Sequence, residues 1–60
     1  MKAKDIDAAV VPGHDKFAFA LAGWECECGE FEYGCGTKRE ALAALRRHRL
    51  SEFKKMGRGK

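Results

Sequence analysis

No stretch of about 18 consecutive apolar residues, the least that a membrane-spanning helix needs, occurs in this 60-residue sequence. Residues 1–7 are mostly polar and lack the apolar core of a secretory signal peptide. We therefore expect neither a membrane segment nor export, and we predict a protein that stays in the cytoplasm. The length limits the chain to one domain.

The chain also lacks an even number of cysteines for disulfide pairing, and it is too short for a large core. There are three cysteines, an odd number, and cysteines inside cells are usually reduced or bound to metal rather than paired in disulfides. A domain of this size buries little apolar surface and often needs a staple. A structural zinc ion contributes on the order of 10 kcal/mol to folding. The composition therefore favours a metal as the staple.

Positive charge is sparse in the first part of the chain. Residues 1–36 carry three Lys/Arg against seven Asp/Glu, a net charge of −4, whereas residues 37–60 carry nine against two, a net charge of +7. A basic C-terminal part fits nucleic acid, an acidic protein surface or an anionic membrane face, or it is simply a solvated surface.

Residues 1–13 are predicted to form a flexible N-terminal arm, because charged residues alternate with alanine and the turn signal Pro12-Gly13 ends the stretch. Two later stretches, within residues 14–23 and at residues 30–33, alternate large apolar residues with small or polar ones, as β-strands do. We predict an antiparallel hairpin that bends at residues 26–28 and keeps Trp24 in the core.

The rest of the chain has no proline and no glycine between Thr37 and Gly57. The sequence Thr37-Lys38-Arg39-Glu40 matches a capping box, in which the Thr and Glu side chains satisfy free amides at the start of a helix. We predict a helix at residues 38–55 and a basic tail at residues 56–60. The helix face predicted to cover the hairpin comprises Ala41, Leu42, Leu45, His48, Glu52, Phe53 and Met56, with Arg49 at its edge.

Cys26 and Cys28 form a Cys-x-Cys-Gly turn, and thiolates together with a neutral imidazole suit tetrahedral zinc. Six extended residues after the turn travel about 20 Å. Once the chain reverses at residues 34–36, a helix rising about 1.5 Å per residue regains that distance near residue 49. We therefore predict Zn²⁺ bound by Cys26, Cys28 and His48.

The fourth zinc position is open in this prediction. His14 fills it if the N-terminal segment folds back over the turn, and Glu52 fills it as an oxygen ligand one helical turn beyond His48. Water and a group from a partner are further alternatives. Cys35 is disfavoured, because the same geometry places it about 16 Å along the helix axis from His48.

The pattern W-x-C-x-C-G, a Thr-capped helix and A-x-x-x-L-x-x-H resembles small zinc-finger proteins of actinobacteria and their bacteriophages. The matching residues are Trp24, Cys26, Cys28, Gly29, Thr37, Ala41, Leu45 and His48. The resemblance implies a ββα finger in the cytoplasm of a bacterial host cell. With the elements above, we predict a small α+β fold at residues 14–55, an antiparallel hairpin packed on one C-terminal helix and stapled by metal. The second helical histidine of two-Cys two-His fingers is missing.

We predict a small zinc-binding finger that binds nucleic acid mainly through phosphate contacts. The candidate contacts on the basic helix are Lys38, Arg39, Arg46, Arg47, Arg49, Lys54 and Lys55. The alternative is a phage-type interaction module that docks on an intracellular host protein, with zinc purely structural. Catalysis by a redox Cys-x-Cys or a zinc-bound water has no supporting nucleophile motif, so we expect no enzyme activity and no small-molecule substrate.

Overall fold

Five short elements follow one another along the described part of the chain. The structure is a computed structural model that describes residues 3–58. The elements are a 3₁₀ helix at Ala3–Ala8, strands β1 at Phe17–Ala20, β2 at Gly23–Cys26 and β3 at Phe31–Glu32, and helix α1 at Lys38–Arg58. The strands form one antiparallel sheet in the order β1-β2-β3, packed on α1. The predicted small α+β fold is confirmed.

The hairpin turns earlier than the sequence predicts. Leu21 and Ala22 join β1 to β2 with φ angles of 54° and 55°, which give the twist that a two-residue turn between antiparallel strands requires. Each non-glycine residue in this left-handed backbone conformation lowers the stability of the fold by about 1 kcal/mol. The turn sets the strand register in which Trp24 pairs with Phe19. The predicted bend at residues 26–28 is the second turn, which joins β2 to β3.

The central core lies between β2 and α1. Trp24 and Cys26 are two residues apart in a strand and so point to the same side of the sheet, where they meet Ala41, Ala44 and Leu45 of the helix. All five side chains are more than nine-tenths buried. Because only Trp24 and Leu45 are large, this cluster supplies little hydrophobic stabilisation by itself.

Helix α1 begins as predicted and ends later. Thr37 Oγ1 accepts a hydrogen bond of 3.1 Å from the amide of Glu40 and so caps the helix. The helix continues to Arg58, because a single glycine at position 57 costs a helix only about 1 kcal/mol. Part of the predicted basic tail at 56–60 is therefore helical, and residues 59–60 lie outside the described part of the chain.

Residues 3–15, here called the N-terminal segment, pack on α1. Ile6 and Val11 are fully buried, whereas Val10 is 74% exposed. Asp7 accepts hydrogen bonds from the guanidinium of Arg46, the shortest being 2.6 Å between Nη2 and Oδ2, and these bonds lower the pKa of the Asp7 carboxyl. Most of the stretch predicted as a flexible arm is thus a packed element with its own buried apolar side chains.

Gly23 is expected to tolerate no side chain. A methyl group on its Cα would overlap the backbone carbonyl of Glu32 and lie 2.5 Å from the Cα of Tyr33, so strand β3 would have to move. Gly23→Ala is expected to lower the free energy of unfolding by about 3 kcal/mol, measured by urea denaturation. Gly34→Ala is the control, since its methyl group meets open space and only its φ of 72° is unfavourable. Equal losses in the two variants would contradict the steric explanation.

Candidate metal centre

Four metal-binding side chains converge at the end of the sheet nearest the middle of α1. They are His14 from the N-terminal segment, Cys26 at the end of β2, Cys28 in the turn that follows, and His48 from α1. One ligand atom from each lies within 4.8 Å of the corresponding atoms of the others. The structure thus brings together the three donors predicted from the sequence and adds His14, one of the alternatives for the fourth position.

Two sulfur–nitrogen distances in this group match those around a single tetrahedral ion. His14 Nδ1 lies 3.6 Å from Cys26 Sγ, and His48 Nε2 lies 3.4 Å from Cys28 Sγ. Zinc–sulfur bonds of about 2.3 Å and zinc–nitrogen bonds of about 2.05 Å at the tetrahedral angle separate S from N by about 3.6 Å. The donors are therefore close enough to hold a metal ion, and two Cys with two His is a ligand set of structural zinc sites.

Two tight turns present three of the four donors, His14, Cys26 and Cys28. Gly13 has a φ of +84°, and the amide of His14 donates to the carbonyl of Val11 over 2.8 Å. With Pro12 before the glycine, this is the sequence signature of a type II turn, and it brings the chain over the cysteines. The second turn follows Cys26, whose carbonyl accepts the amide of Gly29 over 3.0 Å at a φ of +99°. Both positive φ angles fall on glycine, where they cost little.

The half-buried His48 ring contacts two other rings. Its ring stacks on that of Trp24 with centroids 5.0 Å apart and meets the His14 ring edge-on at 5.2 Å. Burial, and next the nearby His14, lower the pKa of His48. The neutral imidazole, which is the metal-binding form, is therefore favoured.

The two thiols differ in exposure. Cys26 is buried and Cys28 is exposed. Burial, together with the neighbouring Cys28 thiol, raises the pKa of Cys26. A buried thiol of this kind stays protonated at neutral pH unless a cation stabilises its thiolate.

Metal binding at this centre is expected to release protons at neutral pH. A thiol binds zinc as the thiolate, and the raised pKa of the buried Cys26 thiol keeps that group protonated without metal, whereas the lowered pKa of His48 favours its neutral, metal-binding form. The apparent affinity should then weaken about 10-fold or more for each unit by which the pH falls from about 8 to 7. Calorimetric titration in buffers of different ionisation enthalpy counts these protons directly. A count near zero would show that the thiols are not ligands.

The other two candidates for the fourth position lie elsewhere. Cys35 is half-buried against the central core, and Glu52 forms an ion pair of 3.6 Å with Lys55 on the next turn of α1. Among the residues that the structure describes, neither belongs to the four-donor group. The packing of the N-terminal segment, rather than a second helical ligand, completes the set.

The basic residues predicted to contact nucleic acid occupy very different environments. Arg49 is only 5% exposed and donates to backbone carbonyls of the N-terminal segment. Arg46 is paired with Asp7, Lys55 with Glu52, and Lys38 lies over the ring of Phe19. The remaining three, all exposed, are Arg39, Arg47 and Lys54.

Neither helix within residues 3–58 combines the length and apolar character needed to cross a bilayer. The likeness to small actinobacterial and bacteriophage zinc fingers stays a prediction from the sequence pattern. In comparisons with protein-family models, curated proteins and solved structures, no family model, no curated protein and no solved structure matches this chain.

Proposed function

We propose that the chain is a small zinc-binding domain in which the ion has a structural role. The observation that carries this proposal is the group of four donors, His14, Cys26, Cys28 and His48, within 4.8 Å of one another. Catalytic zinc sites keep one position for water or substrate, whereas structural sites use four protein ligands. A complete protein ligand set therefore favours a structural ion.

The donor chemistry favours zinc over other common cations. Magnesium and calcium prefer oxygen ligands, and this group offers two sulfurs and two nitrogens. Among divalent transition metals, zinc readily accepts tetrahedral sulfur and nitrogen ligands because it has no geometric preference from d electrons. A site of this composition would bind one Zn²⁺ per chain.

Native mass spectrometry tests the proposal. Protein prepared with reductant and stoichiometric zinc should carry one zinc ion and lose it on acidification. Cobalt substitution should give the visible bands of a tetrahedral site with thiolate ligands. Zinc-free protein that stays folded and fails to take up zinc or cobalt would refute a metal centre. Retention of zinc by Cys26→Ser, Cys28→Ser and His48→Ala alike would refute this ligand set.

Nucleic-acid binding is a second candidate function, favoured by three exposed cations on one face of α1. At about 100° per residue, Arg39, Arg47 and Lys54 fall within about 80° of one another, and they span about 22 Å along the axis. A row of this length can contact about three phosphates, so the affinity for DNA should fall with salt at a logarithmic slope of about −3.

The triple variant Arg39→Gln/Arg47→Gln/Lys54→Gln separates this function from the metal site. We expect this variant to bind zinc normally. It should no longer bind a labelled DNA duplex at low salt, as measured by fluorescence anisotropy. If the unchanged protein does not bind DNA at low salt, nucleic-acid binding is refuted and docking on an intracellular protein remains as the alternative. That alternative would use the other side of the domain, where Phe31 and Tyr33 are 61% and 41% exposed beside Glu25.

A further inference from the structure

We propose that Arg49 and Glu27 are positioning residues of the metal centre, which hold the backbone on both sides of His14 so that its ring reaches the ion. This inference rests on the proposed zinc site. Arg49 follows the ligand His48 in α1, and Glu27 lies between the ligands Cys26 and Cys28. Each of the other ligand-bearing elements thus carries a side chain that fixes the segment bearing the fourth ligand.

Arg49 is the larger of the two anchors. Its Nε donates to the carbonyl of His14 over 2.9 Å, and its Nη2 donates to Asp15 Oδ1 over 3.0 Å and to the carbonyl of Ala9 over 3.3 Å. Its Nη1 donates to the carbonyl of Ile6 over 3.4 Å. The guanidinium therefore joins the end of the 3₁₀ helix to the His14 carbonyl and the Asp15 carboxylate.

Glu27 holds the residues that directly follow His14. Its Oε2 accepts the amides of Asp15 and Lys16, each over 2.8 Å, and its own amide donates to the carbonyl of Lys16 over 2.9 Å. Asp15 links the two anchors, because its Oδ1 accepts both Arg49 Nη2 and the amide of Val11 over 2.7 Å. The Val11–Lys16 backbone is therefore fixed on each side of the ligand.

The burial of Arg49 is consistent with a role in positioning the His14 backbone. An arginine side chain that is only 6% exposed is costly unless its donors are satisfied. Here a planar group with five donors reaches three carbonyls and a carboxylate, which the single ammonium of lysine cannot do from one point. The arrangement is suited to holding a loop in one conformation rather than to contacting a partner.

Loss of this anchor should leave three ligands in place. Cys26 and His48 are held by β2 and by α1, and Cys28 by the short turn between β2 and β3, whereas His14 reaches the centre only through the N-terminal segment. In Arg49→Gln, water would replace His14 at the metal for much of the time. Mutation of residues that orient metal ligands typically lowers metal affinity by about 10–100-fold. We expect Arg49→Gln to weaken zinc binding by a factor within that range.

A double-mutant cycle between Arg49→Gln and His14→Ala is the decisive measurement. If Arg49 acts through His14, then Arg49→Gln should weaken zinc binding in the unchanged background and have almost no further effect in His14→Ala. The cobalt spectrum of Arg49→Gln should shift towards that of His14→Ala, and Arg49→Lys should restore part of the affinity. Glu27→Ala provides a second anchor variant for the same cycle.

Arg47→Gln is the matched control, because it removes the same charge from the same helix. Arg47 is exposed and lines a cavity with Cys35 and Glu40, outside the four-donor group. The zinc affinity and cobalt spectrum of Arg47→Gln should therefore match those of the unchanged protein. Additive effects in the cycle, or an Arg49→Gln protein with unchanged affinity and spectrum, would overturn the positioning role alone. Failure of the unchanged protein to bind zinc would overturn the proposed function first.

Discussion

Chelation of the metal is expected to unfold the domain. The central cluster has only two large buried side chains, Trp24 and Leu45, and small domains without a staple are marginal in stability. A structural zinc ion contributes about 10 kcal/mol or more, comparable with the whole stability of an ordinary domain. Without the ion, the thiols and imidazoles would keep only weak sulfur–nitrogen hydrogen bonds, such as those of 3.6 Å between Cys26 and His14 and of 3.4 Å between Cys28 and His48.

Circular dichroism with a strong chelator measures this effect. The helical signal should collapse and the cooperative melting transition should vanish, and added zinc should restore both. The single tryptophan, Trp24, stacks on His48, so its fluorescence should follow the same titration. Cys26→Ser in the presence of zinc should behave like the chelated protein. An unchanged melting curve after complete metal removal would show that the apolar contacts suffice by themselves.

The elements that the sequence predicts well depend on local signals. Helix α1 has a Thr cap, helix-forming residues and no proline, and these fix its start without knowledge of the rest of the fold. The convergence of His48 with the Cys-x-Cys turn was predictable because a strand and a helix have known rises per residue. Such arithmetic works only where the chain between two ligands is regular.

Long-range packing accounts for what the sequence leaves open. His14 is separated from Cys26 by a hairpin whose turn at Leu21 and Ala22 has no glycine, so its return to the two cysteines could be stated only as one alternative. The Pro12-Gly13 turn just before His14 was a usable signal of that return. Arg49, the residue of α1 that binds the His14 carbonyl, lies 35 residues from His14 in sequence. No local pattern predicts such a contact.

Charge counting is the least specific part of the sequence evidence. Nine basic residues in the C-terminal part favour a polyanion partner, yet Arg49 and Arg46 bind the protein's own N-terminal segment. A guanidinium whose donors are taken up within the fold has little capacity left for phosphate. The row of exposed cations on one face of α1, Arg39, Arg47 and Lys54, rather than the net charge, therefore sets the scale of the proposed interaction with nucleic acid.

Replacement of His14 and of Cys35 should have opposite consequences for the metal. His14 Nδ1 lies 3.6 Å from Cys26 Sγ, within the four-donor group, so His14→Ala should weaken zinc binding by about 100-fold or more. Cys35 packs against the core outside that group. Partial burial, and then the carboxylates of Glu32 and Glu40, raise the pKa of the Cys35 thiol and so disfavour a metal-binding thiolate there.

Competition with a chelator of known affinity distinguishes the two variants. Cys35→Ser should hold zinc as tightly as the unchanged protein and lose at most a little stability, because serine replaces a half-buried thiol. His14→Ala should also change the cobalt spectrum, since one imidazole nitrogen leaves the metal. Zinc loss from Cys35→Ser together with normal binding by His14→Ala would mean a Cys₃His site in place of Cys₂His₂. That outcome would require the corner at residues 34–36 to move to the Cys26–Cys28 turn. In this structure, His14 of the N-terminal segment lies beside that turn, and the segment itself packs on α1.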